Sequence, residues 1–210
     1  MLWNEHSDLS GKHALLGASN FYWINYDDES LERKFKASYS QVIGTSLHAL
    51  AKSLIDHKIR LNKNDKHLVL LHLLNDGIPR GLIDMERFFP NLMRYVNDSI
   101  GFRMKAEQVL YFTDNCFGTT DAISFREGCL RIHDLKTGET PAHMEQLYIY
   151  AALFCLEYNQ KPTEIETELC IYQGGEVINE KADPAVVIDI IQKMKDSDKK
   201  IRRLKHFTEG

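Results

Sequence analysis

The chain has 210 residues, 43% of them hydrophobic and 27% charged, with a net charge of −4 from 26 basic and 30 acidic side chains. That length suits one domain of ordinary size with a sizeable core, and the composition is that of a soluble globular protein. The acidic balance argues against a general polyanion binder, and no apolar run approaches the ~20 residues that a membrane span requires.

The first 30 residues read as an irregular, aromatic-rich segment carrying Trp3, His13, Phe21, Tyr22, Trp23 and Tyr26. Such aromatics more often serve as core, and stacking on nucleic-acid bases is their other use. Met1-Leu-Trp-Asn-Glu lacks a basic region followed by an apolar stretch, so no secretory signal is expected and the expected location is cytoplasmic. A helix is predicted from Leu31 to Lys58, where Val42, Leu47, Leu50, Ala51, Leu54 and Ile55 recur at helical spacing around Gly44-Thr-Ser-Leu-His48. A second begins over Leu68 to Leu74 and breaks at Asp76-Gly77-Ile-Pro79. Helix resumes from Asp84 to Asn97, with Phe88, Leu92, Tyr95 and Val96 at helical spacing.

Strands are predicted over 105–136, with Glu107 on the first of them. Cys116 to Phe125 and Cys129 to Leu135 bracket a turn signal at Arg126-Glu-Gly128. Alternation puts Asp121, Ile123 and Phe125 on one face, and lets Asp134 share a face with Lys136. An antiparallel hairpin would then set Asp121 across from the end that carries Asp134. Two carboxylates at one strand end suit a hard cation such as Mg2+ or Mn2+, completed by water and substrate phosphate. Lys136 would orient or help deprotonate an attacking water, or neutralise charge on the phosphate, and the backbone carbonyl of Leu135 could complete the metal's shell. The competing reading is a surface hairpin with an ordinary Asp–Lys ion pair, which is worth little to stability.

A helix follows over 141–158, with Gln146 and Tyr150 on one face and Leu147, Ala151, Ala152, Phe154 and Cys155 as its apolar remainder. Tyr150 also fits a core aromatic with a satisfied hydroxyl, and His143 fits either a DNA-facing position or a helix start. Thr163 to Ile178 reads as strands broken at Gly174-Gly175, and Asp183-Pro184 opens a final helix. Lys193, Lys195, Lys199, Lys200, Arg202, Arg203 and Lys205 make that end basic. Two uses fit this run: tracking a phosphate backbone, or the solvated face of a terminal helix. The cysteines at 116, 129, 155 and 170 have no Cys-x-x-Cys spacing and read as small core residues.

Three motifs, Gly118-Thr-Thr-Asp121, Asp134-Leu-Lys-Thr-Gly138 and Gln146-Leu-Tyr-Ile-Tyr150, resemble those of the PD-(D/E)XK nuclease superfamily. The similarity is to the branch of RecB-type nuclease domains, phage lambda-type exonucleases and CRISPR-associated adaptation nucleases. It covers roughly residues 44–158, and Ala18-Ser19 before the aromatics resembles the start of phage-encoded relatives. The resemblance implies an α/β fold, a restriction-endonuclease-like mixed β-sheet flanked by helices. It also implies a single domain over 1–210: a mainly helical part over 1–100, the catalytic hairpin and motif helix over 105–158, and a C-terminal helix over 183–206.

By the same resemblance Asp121 and Asp134 bind metal, Lys136 is catalytic, and Gln146 and Tyr150 support the site or the DNA. The branch's Gly-x-x-x-His helix matches Gly44-Thr-Ser-Leu-His48, which makes His48 a candidate third ligand; the alternative is a packed or solvated histidine. Glu107 is either a further carboxylate or a surface residue. The implied function is a Mg2+- or Mn2+-dependent deoxyribonuclease with DNA as substrate, an exonuclease of recombination or repair. The implied partners are a single-strand annealing or other recombination protein and further copies of the chain in a homo-oligomer. Alternatives are a nuclease-like module that binds DNA or protein without cleavage, and a structure-specific endonuclease. Some relatives hold an iron–sulfur cluster through one early and three late cysteines. The first 115 residues here contain none, so that cofactor is not expected.

Overall fold

Helices begin where the chain can satisfy their free N–H groups. In the computed structural model, which describes residues 4–138 and 140–208 with side chains as far as Lys205, α1 spans Asp28–Asp56. Its N-cap Asp27 accepts a 2.8 Å hydrogen bond from the Ser30 N–H, and Asp28 and Glu29 complement the helix dipole. The helix α2 covers Lys66–Asn75, and α3 covers Met85–Gly101 with Asp84 accepting from the Glu86 and Arg87 N–H groups. Among the described residues no helix is long and apolar enough to cross a membrane.

The strands β1 (Lys105–Thr113), β2 (Cys116–Arg126), β3 (Cys129–Leu135), β4 (Glu166–Gln173) and β5 (Glu176–Lys181) form one mixed sheet in that order. Only the β3–β4 pair is parallel, because the helix α4 (Glu145–Glu157) carries the chain across. The β2–β3 hairpin closes through Glu127 and Gly128, both with φ near +50 to +76°, the two-residue turn whose twist matches the strands. The last helix, α5 (Pro184–Thr208), is capped by Asp183, whose Oδ1 accepts from the Ala185 N–H at 2.8 Å.

Two apolar layers sandwich the sheet. On one side Leu47, Ala51, Val69, Leu73, Leu92 and Val96 from α1, α2 and α3 pack against Ala122, Leu135, Cys170 and Tyr172. On the other, Leu130, Ile132, Leu169 and Ile171 meet α4 and Val187 of α5. Each fully buried Leu or Ile of this kind contributes about 1.5–3 kcal/mol. α4 is apolar nearly all round because it lies between the sheet and α5.

The aromatic N-terminal segment departs from the expectation of core. Phe21 and Tyr22 stack on each other at 4.5 Å but remain 58% and 63% exposed, and none of residues 4–30 is buried. Trp23 is half-buried because its indole N–H bonds to the Gly17 carbonyl at 3.1 Å. Trp3 lies outside the described residues. Cys116 is only partly buried, whereas Cys129, Cys155 and Cys170 are core residues as expected.

Candidate active site at the fork of β2 and β3

The β2–β3 ladder runs from Arg126 opposite Cys129 to Ala122 opposite His133 and stops there. The next positions in that register are Asp121 and Asp134. On the other flank of β2, the β1–β2 ladder keeps one register from Ala106 opposite Ala122 to Gln108 opposite Thr120, which sets Glu107 directly across from Asp121 at a pair that the ladder skips. Glu107 has φ +48°. A non-glycine residue in that region is strained, and such strain concentrates where the surrounding structure imposes it. Asp121 therefore sits at a fork where β2 parts from β3 while β1 still flanks its other edge.

Asp121 replaces the missing ladder bond with its side chain: Oδ2 accepts the Leu135 N–H at 2.9 Å. The Lys136 N–H points the other way, to the Tyr172 carbonyl of β4 at 2.9 Å. An extended residue directs its N–H and C=O to the same flank, so the Leu135 carbonyl also faces the fork. His48 of α1 brings Nδ1 to 3.6 Å from the same Asp121 oxygen.

Asp134 is only 2% exposed, which removes the reading of an ordinary surface ion pair. Lys136 Nζ lies 3.0 Å from its Oδ1 and 2.9 Å from its Oδ2, yet Oδ2 has no hydrogen bond of proper angle. The ammonium also donates to Gln146 Oε1 at 2.9 Å, and Gln146 Nε2 donates to the Tyr150 hydroxyl at 3.1 Å. Asp134, Lys136, Gln146 and Tyr150 thus form one chain from the sheet to α4, as the i, i+4 spacing of the last two suggested.

Two of the three motif glycines answer to close contacts, while Gly138 has open space around it. A Cβ on Gly118 would stand 3.0 Å from Tyr150 Cε1, so the ring lies over β2 in a contact that any side chain here would crowd. A Cβ on Gly44 would stand 3.1 Å from Thr137 Oγ1, which is how α1 approaches the strand exit next to Lys136.

Electrostatics mark the fork as short of positive charge. Burial, then the neighbouring Asp134 carboxylate, raise the Asp121 pKa from 3.8 to about 6, against the opposing pull of His48, the Leu135 N–H and Lys136. Tyr95 of α3, itself 2% exposed, is pushed well up by burial and then by the charges of Asp121, Asp134 and Glu107. Its place in the field of all three carboxylates is invisible in the sequence, where it reads as one more apolar-face aromatic. Arg87 was missed as well: its Nη2 donates to the Thr137 carbonyl at 2.8 Å, a contact between residues 50 apart.

These observations fit a hard divalent cation. A buried carboxylate oxygen whose one cation, Lys136, lies at a poor hydrogen-bond angle and a second carboxyl with a raised pKa are what a Mg2+ or Mn2+ ion would relieve, and oxygen donors with one imidazole suit either. The ligand atoms of the fork do not converge tightly on one point. Among the described residues, the three ligand-type groups whose atoms all lie within 4.8 Å of one another are Cys129, Glu166 and Glu168 at the far end of β3 and β4. There Arg131 already supplies the cation, with Nε 2.6 Å from Glu168 Oε2. His48, Asp121 and Asp134 are spread more widely. Glu107 is exposed, and its charge reaches Lys52, one turn beyond His48 on α1. His143 is exposed at the start of α4, with Nδ1 3.9 Å from Glu145.

No protein-family model matches the chain, and no curated protein matches it.

Proposed function

We propose that this chain is a Mg2+- or Mn2+-dependent deoxyribonuclease on a restriction-endonuclease-like fold, hydrolysing phosphodiester bonds from DNA ends. One observation carries the reading: two carboxylates stand at the divergence of β2 and β3, with the Lys136 ammonium within 3.0 Å of one of them. His48, Asp121, Asp134 and the Leu135 carbonyl would hold the cation, with Glu107 the next carboxylate on the neighbouring strand. A bound divalent cation supplies Lewis-acid stabilisation of the phosphate and makes water a nucleophile near neutral pH.

The side chains do the rest. Lys136 keeps its N–H donors beside Asp134, where they orient the attacking water and neutralise charge that develops on the phosphate oxygens. Gln146 and Tyr150 are positioning residues: the amide accepts from Nζ and donates to the phenol, which restricts the lysine to one rotamer. End-directed action rests on the similarity of the three motifs to lambda-type exonucleases.

The test is Mg2+-dependent digestion of linear DNA by the wild type and by Asp134→Ala, with closed circular DNA alongside. Digestion of the linear form by the wild type alone is the expected result. Equal digestion by both proteins overturns the reading, and nicking of closed circles replaces exonuclease by endonuclease.

A further inference from the structure

The N-terminal half of α1 extends away from His48 and forms one wall of a cleft of about 590 Å3. The other wall is α3 around Arg87 and Phe88, and the floor is Thr137, Gly138 and Thr140. A small cavity of about 10 Å3 adjoins this cleft on the side of the fork: Arg87, Phe88 and Thr137 line both, and Leu135 and Lys136 line the cavity. Asn91 also lines it, is 2% exposed, and has no hydrogen bond to its Oδ1. That acceptor offers a seat to a water between the cleft and the lysine-bearing strand.

Cations face this cleft. Arg33 and Lys36 of α1 line it with Arg87. Their ion-pair partners are Glu29 at 3.1 Å and Glu32 at 2.5 Å, one turn away on the same helix. Exposed pairs of that spacing are weak and give way to a stronger anion. Ser40 and Thr140 add hydroxyl donors. Among the described residues Asp84 is the acidic one of the lining, and its Oδ1 is engaged by the Glu86 and Arg87 N–H groups at 3.1 and 3.2 Å.

We propose that this cleft receives the phosphate backbone of one polynucleotide strand and leads it to the fork; the inference rests on the nuclease reading above. Its volume is that of a pocket for a small ligand, in scale with a short stretch of one backbone. A groove of cations and hydroxyls that tracks one backbone is the usual way to hold a single strand.

The test measures binding of a labelled single-stranded oligonucleotide by fluorescence anisotropy in Ca2+ over a salt series. Arg33→Ala/Lys36→Ala is compared with wild type and with Lys199→Ala/Lys200→Ala on the far helix α5. The expected result is a Kd about tenfold higher for the α1 variant alone, with its salt slope shallower by about 1.4, or ~0.7 per lost phosphate contact. Undiminished binding by the α1 variant, or tighter binding of a blunt duplex than of the single strand, overturns the proposal. Cleavage by the wild type is scored separately. If it cuts no DNA while the α1 variant still loses the strand, the nuclease reading fails and the strand-binding cleft stands.

Discussion

Replacing Asp121 by Asn tests whether the fork is strained by unneutralised charge. The folded-state pKa of about 6 lies above the ordinary 3.8, so the fold binds this proton more tightly than the unfolded chain does. Stability is therefore full below pH ~4, falls as pH rises through 4 to 6, and stays reduced above. About two units correspond to roughly 3 kcal/mol, and sharing of the proton with Asp134 brings the expected gain to about 1–3 kcal/mol. For a chain of this length each kcal/mol moves Tm by ~2–4 °C. Asn keeps the acceptor for the Leu135 N–H and removes only the charge. In EDTA at pH 8 the variant should melt several degrees above wild type, and the gap should close toward pH 4. Adding Mn2+ should raise the wild-type Tm and leave the variant nearly unmoved. A variant no more stable than wild type at pH 8, or a gap independent of pH, would refute the argument.

Lys136→Ala leaves the buried Asp134 carboxylate without its ammonium, so it should lower stability in EDTA by about 3 kcal/mol, with part of the loss restored by Mn2+ in thermal melts. Gly118→Ala crowds the Tyr150 ring, which must give by a few tenths of an ångström to clear a Cβ at 3.0 Å. Digestion assays should show kcat falling while circular dichroism reports an intact fold; unchanged kcat would remove the ring from the site. Tyr172→Phe removes the hydroxyl that donates to Asp98 Oδ2 at 2.9 Å and meets His133 Nδ1 at 3.1 Å. Urea titration should find about 1–2 kcal/mol lost.

The elements that local chemistry determines were legible in the sequence. The Asp183 cap, the turn before Cys129 and the Gln146–Tyr150 face all depend on residues within four positions of one another, and all stand where the pattern set them. The hairpin register followed from the turn, so Asp121 opposite Asp134 was readable as well. Exposure of the aromatic segment was not, because apolarity alone does not say whether another layer arrives to cover it. Phe21 and Tyr22 have no such layer among the described residues.

Tertiary structure alone decided what sets the fork apart from an ordinary strand end. β2 parts from β3 at Asp121 while β1 stays on its other edge, and β3 goes on beside β4, a choice of partners that no strand encodes locally. Asp134 is buried because α4 and the sheet close over it. The sequence by itself determined which acids and which lysine share a strand end. The packing of distant helices determined that those charges stand desolvated: Arg87 on the Thr137 carbonyl, Gly44 against its hydroxyl, Tyr95 in the carboxylates' field. Desolvation depends on every layer around a group, and that is why the raised Asp121 pKa has no signature in the motif that carries it.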